Sequence, residues 1–236
     1  MSEHIQIDGV TVEVRRSARR RSVDLTVERD GEVSVAVPEE MSTAEIGRIV
    51  RGKQEWLYTA LARKEATNKG PPPKEYVTGE GFFFLGRKYR LRVVADDEVG
   101  GGKGGLQWTN GRFFLGRGKV GDGKDLFVRW YTMQAAEWLA KRVNALKARV
   151  GVESVEIGVR DLGFRWGSCT HKGKVFFHWR TVLLPPERID YLVLHELVHI
   201  HEHNHSAAFY ERLRRASPDH KVHEAWFREH GDEYRL

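Results

Sequence analysis

Cysteine is almost absent from this chain: Cys169 is the single one, so no internal disulfide can form and no multi-cysteine cage can hold a metal. Any metal would have to rest on histidine and carboxylate side chains. Long apolar runs are missing as well. Met1 to Gly9 is polar and charged, without the apolar stretch of a signal peptide, and no later segment approaches the roughly 20 apolar residues of a membrane span. A cytoplasmic protein with no membrane partner is expected. A glycine-rich phosphate loop of the P-loop type is also lacking. Aromatic residues are plentiful: seven Trp and eleven Phe in a chain that is 40% hydrophobic can bury enough surface to offset the entropy of ordering it, which excludes wholesale disorder. At 236 residues, two unequal domains are expected.

The net charge of +6 favours anionic partners, but its one concentrated source is Arg15, Arg16, Arg19, Arg20 and Arg21. Such a cluster serves either as a solvated strand edge that discourages edge pairing or as a surface for nucleotides or nucleic acid.

Along the chain, apolar and polar residues alternate in short pieces at Ile5–Ile7, Val10–Val14, Val23–Val27 and Val33–Val37, with turns at Asp8-Gly9 and Asp30-Gly31. This predicts a small antiparallel sheet. Ser42 stands at an N-cap position, and Ile46, Ile49, Val50, Trp56, Leu57 and Leu61 follow at helical spacing until Gly70 and Pro71 to Pro73. One long amphipathic helix is expected there. Strand patterns return at Phe82–Leu85, Tyr89–Val94, Leu106–Trp108 and Phe113–Leu115, with a loop over Gly100–Gly105 and Asn110-Gly111 as a tight hairpin turn. Asp122–Val150 is helical and stops at Gly151. A boundary between residues 120 and 121 is expected, separating a β-rich domain (1–120) from a second domain (121–236), an α+β chain overall.

After a strand at Val155–Val159, a loop at Asp161–Gly173, a strand at Val175–Trp179 and a Pro185-Pro186 turn, Pro186, Glu187 and Asp190 mark a helix N-terminus. It carries His195-Glu196-Leu197-Val198-His199. Residues i and i+4 share a helix face, so the two imidazoles can meet one ion, and Glu196, one residue's rotation away, can reach a water without ligating the metal itself. The pentad alone is only suggestive; its amphipathic helix, the strand and turn before it, and the histidines after it strengthen it. A catalytic zinc needs a third protein ligand and one open position. His201, Glu202, His203, His205, Glu211, His220, His223 and Glu224 are the candidates. His201 and His203 should face solvent. Asn204 can take a left-handed conformation and Ser206 can cap a new helix through Phe209, Tyr210 and Leu213, which puts His205 in a reversal that folds back toward the ion. His205 is the first choice, with Glu211 and Glu224 as alternatives. All-nitrogen ligation suits zinc, whereas magnesium prefers oxygen. Cys169 has no neighbouring base to activate it and reads as a structural thiol.

The pentad, the five residues to His205, Ser206, Phe209 and Pro218-Asp219 form a pattern that resembles the YgjP-like zinc metallopeptidases, relatives of the SprT-type proteins. The resemblance extends to Arg165-Trp166-Gly167-Ser168-Cys169, to Val175–Pro186, and upstream to Arg19–Arg21, Val35–Pro38, Trp56 and Gly79–Tyr89. It departs at His178, where the family usually has Asn. It implies a zincin-like C-terminal half with zinc on His195, His199 and His205 and Glu196 as base. Zinc would lower the pKa of its bound water and Glu196 would take the proton during hydrolysis. In zincins the strand before the active helix, here Val175–Trp179 with Phe177 and His178, receives an extended peptide by strand addition. Arg165, Trp166 and Ser168 are further substrate-binding candidates, unless their loop is simply packed beneath the sheet. A zinc metallopeptidase acting on peptides or unfolded protein is the leading expectation. A nucleoside triphosphate (UTP) pyrophosphatase at the same site and a nucleic-acid-associated accessory protein are the alternatives. The sequence carries no signal of oligomeric state.

Overall fold

The structure is a computed structural model and describes residues 3–27, 32–67, 73–99, 105–163 and 165–236. The expected turn at Asp30-Gly31, most of the Gly70–Pro73 stop and most of the Gly100–Gly105 loop lie outside the described residues. The chain divides into two compact units, Met1–Gly70 and Pro71–Leu236.

In the first unit, β1 (Glu3–Ile7), β2 (Val10–Ser17), β3 (Asp24–Val27) and β4 (Val33–Pro38) form one sheet in the order β1-β2-β4-β3. The strands fall where alternation places them, but the sheet is mixed. β2 and β4 run parallel, with Val14 opposite Val35, while the outer pairings are antiparallel. β4 reads Val-Ser-Val-Ala-Val and is buried at nearly every position, the mark of an interior strand. The chain therefore returns through residues 18–23 to lay β3 on its far side. The single helix expected next is two, α1 (Thr43–Gly52) and α2 (Gln54–Thr67). Ser42 starts α1 with a reciprocal capping box: its hydroxyl accepts from the Glu45 N–H at 3.3 Å and its own N–H donates to the Glu45 carboxylate at 2.9 Å. Gly52, a poor helix residue, ends it. Ile46, Val50 and Leu57 bury in this unit's core, whereas Trp56, expected on the apolar face, is 48% exposed.

The second unit opens with β5 (Gly81–Phe84), β6 (Arg87–Val94), β7 (Leu106–Thr109) and β8 (Arg112–Gly116), ordered β5-β6-β8-β7. Two antiparallel hairpins are again joined by a parallel central pair, here β6 with β8. Asn110 and Gly111 both have positive φ (49° and 70°), the type I′ geometry of a two-residue hairpin. The following α3 (Gly123–Leu146) packs on this sheet through Phe127, stacked on Phe82 at 4.1 Å, and through Tyr131, whose hydroxyl donates to the Phe83 carbonyl at 2.7 Å.

The unit boundary thus falls at 70/71, earlier than the expected 120/121. The physical reason is that Phe82, Leu91, Phe113 and Leu115 bury in the same core as α3 and everything after it. The sequence shows β-rich and helical halves, but the aromatic core spans both.

A three-stranded sheet follows, ordered β10-β11-β9: β9 (Ile157–Arg160), β10 (Gly167–Cys169) and β11 (Val175–His178). β9 lies parallel to β11 and β10 antiparallel to it. The Trp179–Leu183 turn leads into α4 (Pro186–Val198), then come α5 (Ala207–Ala216) and α6 (His220–His230). The start of α4 is held from two directions. Leu85 and Gly86, in the β5–β6 turn, donate to the carbonyls of Val182 and Leu183 at 2.8 and 3.0 Å. Arg142 of α3 makes a bidentate pair with Asp190, both bonds 2.6 Å. The fold is α+β. No helix among the described residues is long and apolar enough to cross a membrane.

Candidate metal centre

α4 is apolar on the side that packs into the core: Ile189, Leu192, Val193, Leu197 and Val198 are all buried. His195 and His199 stand one turn apart on the side of the helix that also carries Leu192. The helix stops at Val198, with His199 as its last cap residue. Ile200, His201 and Glu202 close the end by donating back to the carbonyls of Leu197 and Val198. The chain then reverses, and Ser206 caps α5, as expected, by accepting from the Phe209 N–H at 3.3 Å. Asn204 is not left-handed as expected; the reversal is made by the bonds to Leu197 and Val198 and by Ser206 donating to the Asn204 carbonyl at 2.7 Å.

The reversal returns His205 to the helix. Its Nε2 lies 3.0 Å from the Nε2 of His195, and one nitrogen from each of His195, His199 and His205 lies within 4.8 Å of the others. The Phe209 ring is the floor under all three, with centroids 4.6–5.0 Å from theirs. Burial, with His199 and His205 adding to it, holds His195 down to about 3, and burial lowers His199 against an opposing bond to the Glu202 carbonyl. Neutral imidazoles with convergent lone pairs are the donor set zinc prefers, and a three-nitrogen set fits it better than magnesium or calcium. His199 Nδ1 is within 2.9 Å of the Glu202 carbonyl, which orients that ring with Nε2 toward its partners. The residues present fit a zinc ion.

Glu196 is 6% exposed, and burial pushes its carboxyl up to about 8 against the opposing charge of Arg165. It sits directly beneath β10: a Cβ on Gly167 would lie 2.5 Å from Glu196 Cγ, Cδ and Oε1. Glycine at 167 is therefore what lets the carboxyl reach the strand. A cleft of about 530 Å³ opens over this arrangement, lined by Arg165–Cys169, Tyr191, Glu224 and Phe227 together with His195, Glu196, His199 and His205.

The candidates are not all brought together. Arg165, Trp166 and Ser168 line the cleft, and Trp166 packs against Phe227 with centroids 5.8 Å apart. Phe177 is fully buried in the core, and His178 is 1% exposed, so neither lies in the cleft. The expectation that β11 receives a substrate strand is corrected with them. The Arg165–Cys169 segment, expected to be part of a loop, contains β10, which takes one edge of β11 while β9 takes the other. The free edge nearest the histidines belongs to β10. His178 instead caps the Trp179–Leu183 turn, its Nδ1 accepting from the Arg180 N–H at 3.0 Å, while its Nε2 lies 3.3 Å from Asp161. Asparagine is a favoured capping residue, so it could make the same cap at this position.

Of the alternative ligands, Glu211 is partly exposed and paired with Arg214 and Arg215, and it is not part of the group that converges with the histidines. Glu224 forms part of the cleft wall. His201 and His203 are both exposed, as expected; His201 also meets the Val150 carbonyl at 3.0 Å, and His203 lines the cleft. Cys169 is half-buried on the wall, its thiol pushed up by burial and then by Glu196. In the other unit, Arg15 and Arg16 of the basic cluster pair with Glu13 and Glu3, which removes part of its positive field. Sequence reasoning missed Tyr191 and Phe227. Tyr191 could have been found, because it stands four residues before His195 on the same helix face.

The family described as YgjP-like, metallopeptidase domain, matches residues 21–230. No curated protein matches the chain. Among solved structures, the metallopeptidase zymogen abylysin of Pyrococcus abyssi is 21% identical, over 41% of this chain and 96% of its own, with a TM-score of 0.37.

Proposed function

The chain belongs to the YgjP-like metallopeptidase family, and from that premise we propose that it is a zinc-dependent peptidase in which His195, His199 and His205 hold the ion and Glu196 is the general base. The observation that carries the proposal is the convergence of three imidazole nitrogens within 4.8 Å beside a buried carboxyl, at the base of an open cleft.

Zinc bound there supplies a Lewis acid that polarises the scissile carbonyl and makes a water easier to deprotonate. A cation held beside Glu196 would favour the ionised carboxylate over the protonated form that burial alone favours, and its Oε then accepts the proton from the attacking water as the oxygen adds to the carbonyl carbon. It then returns that proton to the amide nitrogen as the C–N bond breaks. A peptide in extended conformation pairs with the outer edge of β10, through the backbone of Gly167–Cys169, which brings its carbonyl over Glu196. Backbone pairing reads shape more than sequence, which suits unfolded protein as the substrate. Trp166, Tyr191 and Phe227 offer apolar contact to its side chains, and Arg165 and Glu224 add one charge of each sign to the cleft lining.

Zinc-loaded protein incubated with an unfolded protein is expected to release new amino termini, and Glu196→Gln to lower the rate at least about 100-fold. No cleavage of unfolded proteins or peptide libraries by the zinc-loaded chain overturns the proposal. Release of pyrophosphate from UTP, lost in Glu196→Gln, with no peptide cleavage selects the nucleotide reading instead.

A further inference from the structure

We infer that the outward face of the β5-β6-β8-β7 sheet is a docking surface for single-stranded nucleic acid, with Lys88, Arg90, Arg92 and Arg112 meeting phosphates and Phe114 offering its ring to a base. This goes beyond the peptidase reading and does not depend on the zinc site.

Tyr89 and Leu91 of β6 turn inward to the aromatic core. Successive strand residues point to opposite faces, so Lys88, Arg90 and Arg92 share the other face, and all three are exposed. β8 repeats the pattern beside it: Phe113 and Leu115 are fully buried, whereas Arg112 is exposed and Phe114 partly so. The register sets Arg92 directly opposite Phe114 on one side and Gln107 of β7 opposite it on the other. A guanidinium, a phenyl ring and an amide thus stand in a row across three strands. The inner face is taken by α3, through Phe127 stacked on Phe82. On the outer face Tyr234 covers the β5 side, with its ring centroid 4.6 Å from that of Phe83, and the cations of β6 and β8 stay exposed.

The charge on this face is of one sign. β5, β6, β7 and β8 contain no aspartate or glutamate. Among the described residues none of the four cations is in an ion pair: Arg90 donates to the Gly79 carbonyl at 2.8 Å, and Lys88 Nζ stands 5.3 Å from the Phe83 centroid. Arg15 and Arg16 of the first unit, by contrast, are partly neutralised by Glu13 and Glu3. The sheet therefore presents a positive field that calls for a polyanion. Along β6 the cations recur about every 6.6 Å, a step that successive phosphates of an extended strand can follow. An unpaired base can then stack on Phe114 beside Arg92. A duplex keeps its bases stacked inside, which leaves that ring without a use. A lipid surface is the poorer fit, because such binding gains strength from buried apolar area and this row has one half-exposed ring among four cations.

The test is fluorescence anisotropy of a labelled oligothymidylate titrated with the full chain at several salt concentrations. Contact with four phosphates predicts that log Kd rises with log salt at a slope of about 3. Arg92→Gln combined with Arg112→Gln is expected to lower that slope by about 1.4 and to weaken binding at about 50 mM salt by about 10-fold or more. Phe114→Leu should weaken it about 10-fold and leave the slope unchanged, because it removes stacking and no charge. Arg19→Gln combined with Arg21→Gln, in the first unit, should change neither. No binding at low salt, sheet variants within about twofold of wild type, or an equal loss in the Arg19 and Arg21 variant overturns the inference. Duplex DNA bound as tightly as the single strand also overturns it, as does binding to phosphatidylserine vesicles without binding to the oligonucleotide. If the Arg92 and Arg112 variant does not fold, Lys88→Gln decides: a slope about 0.7 lower supports the inference and an unchanged slope overturns it.

Discussion

Gly167→Ala adds one methyl group at the point where β10 passes over Glu196. The new carbon would lie 2.5 Å from Glu196 Cγ, Cδ and Oε1, about 1 Å closer than carbon atoms pack without repulsion. The α4 backbone cannot retreat, because Leu194, Leu197 and Val198 around Glu196 are buried in the core. Either the Glu196 side chain leaves its rotamer or β10 lifts, and each moves the carboxyl by about 1 Å relative to a strand-bound substrate. Misplacement on that scale costs about 10²-fold in rate, or about 2.7 kcal/mol of transition-state stabilisation. The overpacking should also lower folding stability by about 1–3 kcal/mol. The histidines do not touch position 167, so zinc content should stay at the wild-type level. The assay is kcat/KM for peptide cleavage in wild type, Gly167→Ala, Glu196→Ala and the double variant. The glycine substitution should cost nothing further once the carboxyl is gone. Activity of Gly167→Ala within about threefold of wild type, or a double variant much slower than Glu196→Ala, would refute this reasoning.

Three further outcomes follow from the frame that holds α4. Gly86→Ala combines a φ of +76° with a Cβ only 2.8 Å from the Pro185 backbone, so denaturant unfolding should show a loss of about 2–4 kcal/mol; a loss below about 1 kcal/mol would mean that this turn does not brace the helix. His178→Asn should keep the cap on Arg180 and give up only the Asp161 contact, leaving stability within about 1 kcal/mol and peptide cleavage near wild type; a cleavage defect of tenfold or more would return a substrate role to this position. Arg142→Met removes a bidentate pair whose side chains are 33% and 29% exposed, so solvent screening limits the expected loss to about 1 kcal/mol by urea unfolding.

The strands, the capped helices and the histidine reversal were legible because each depends on local chemistry. Ser42 and Ser206 cap whatever helix follows them, Asn110-Gly111 makes the same hairpin in any sheet, and i, i+4 spacing aligns His195 with His199 wherever the helix goes. What stayed hidden depends on which strand lies beside which. The alternation in β2 and β4 is equally compatible with antiparallel or parallel pairing, so the parallel central pair could not be read from it. Three residues of β10 are too few to show a period, and without β10 the preceding-strand rule assigned β11 a free edge it does not have. The expectation that Phe177 and His178 lie in the cleft follows from that one strand assignment. Tyr191 goes unused in the sequence because its tyrosine reads equally well as core, and only the nearness of His195 gives its hydroxyl a use.

The central claim is that His195, His199 and His205 hold one zinc ion that serves Glu196. Metal analysis of the purified chain after zinc loading and dialysis tests it most directly, with His205→Ala beside it. The account predicts close to one zinc per wild-type chain and at least about a 100-fold weaker hold in His205→Ala, with the far-ultraviolet circular dichroism of the two proteins matching. A wild-type chain that retains no zinc, or a His205→Ala chain that retains it as tightly as wild type, would contradict it.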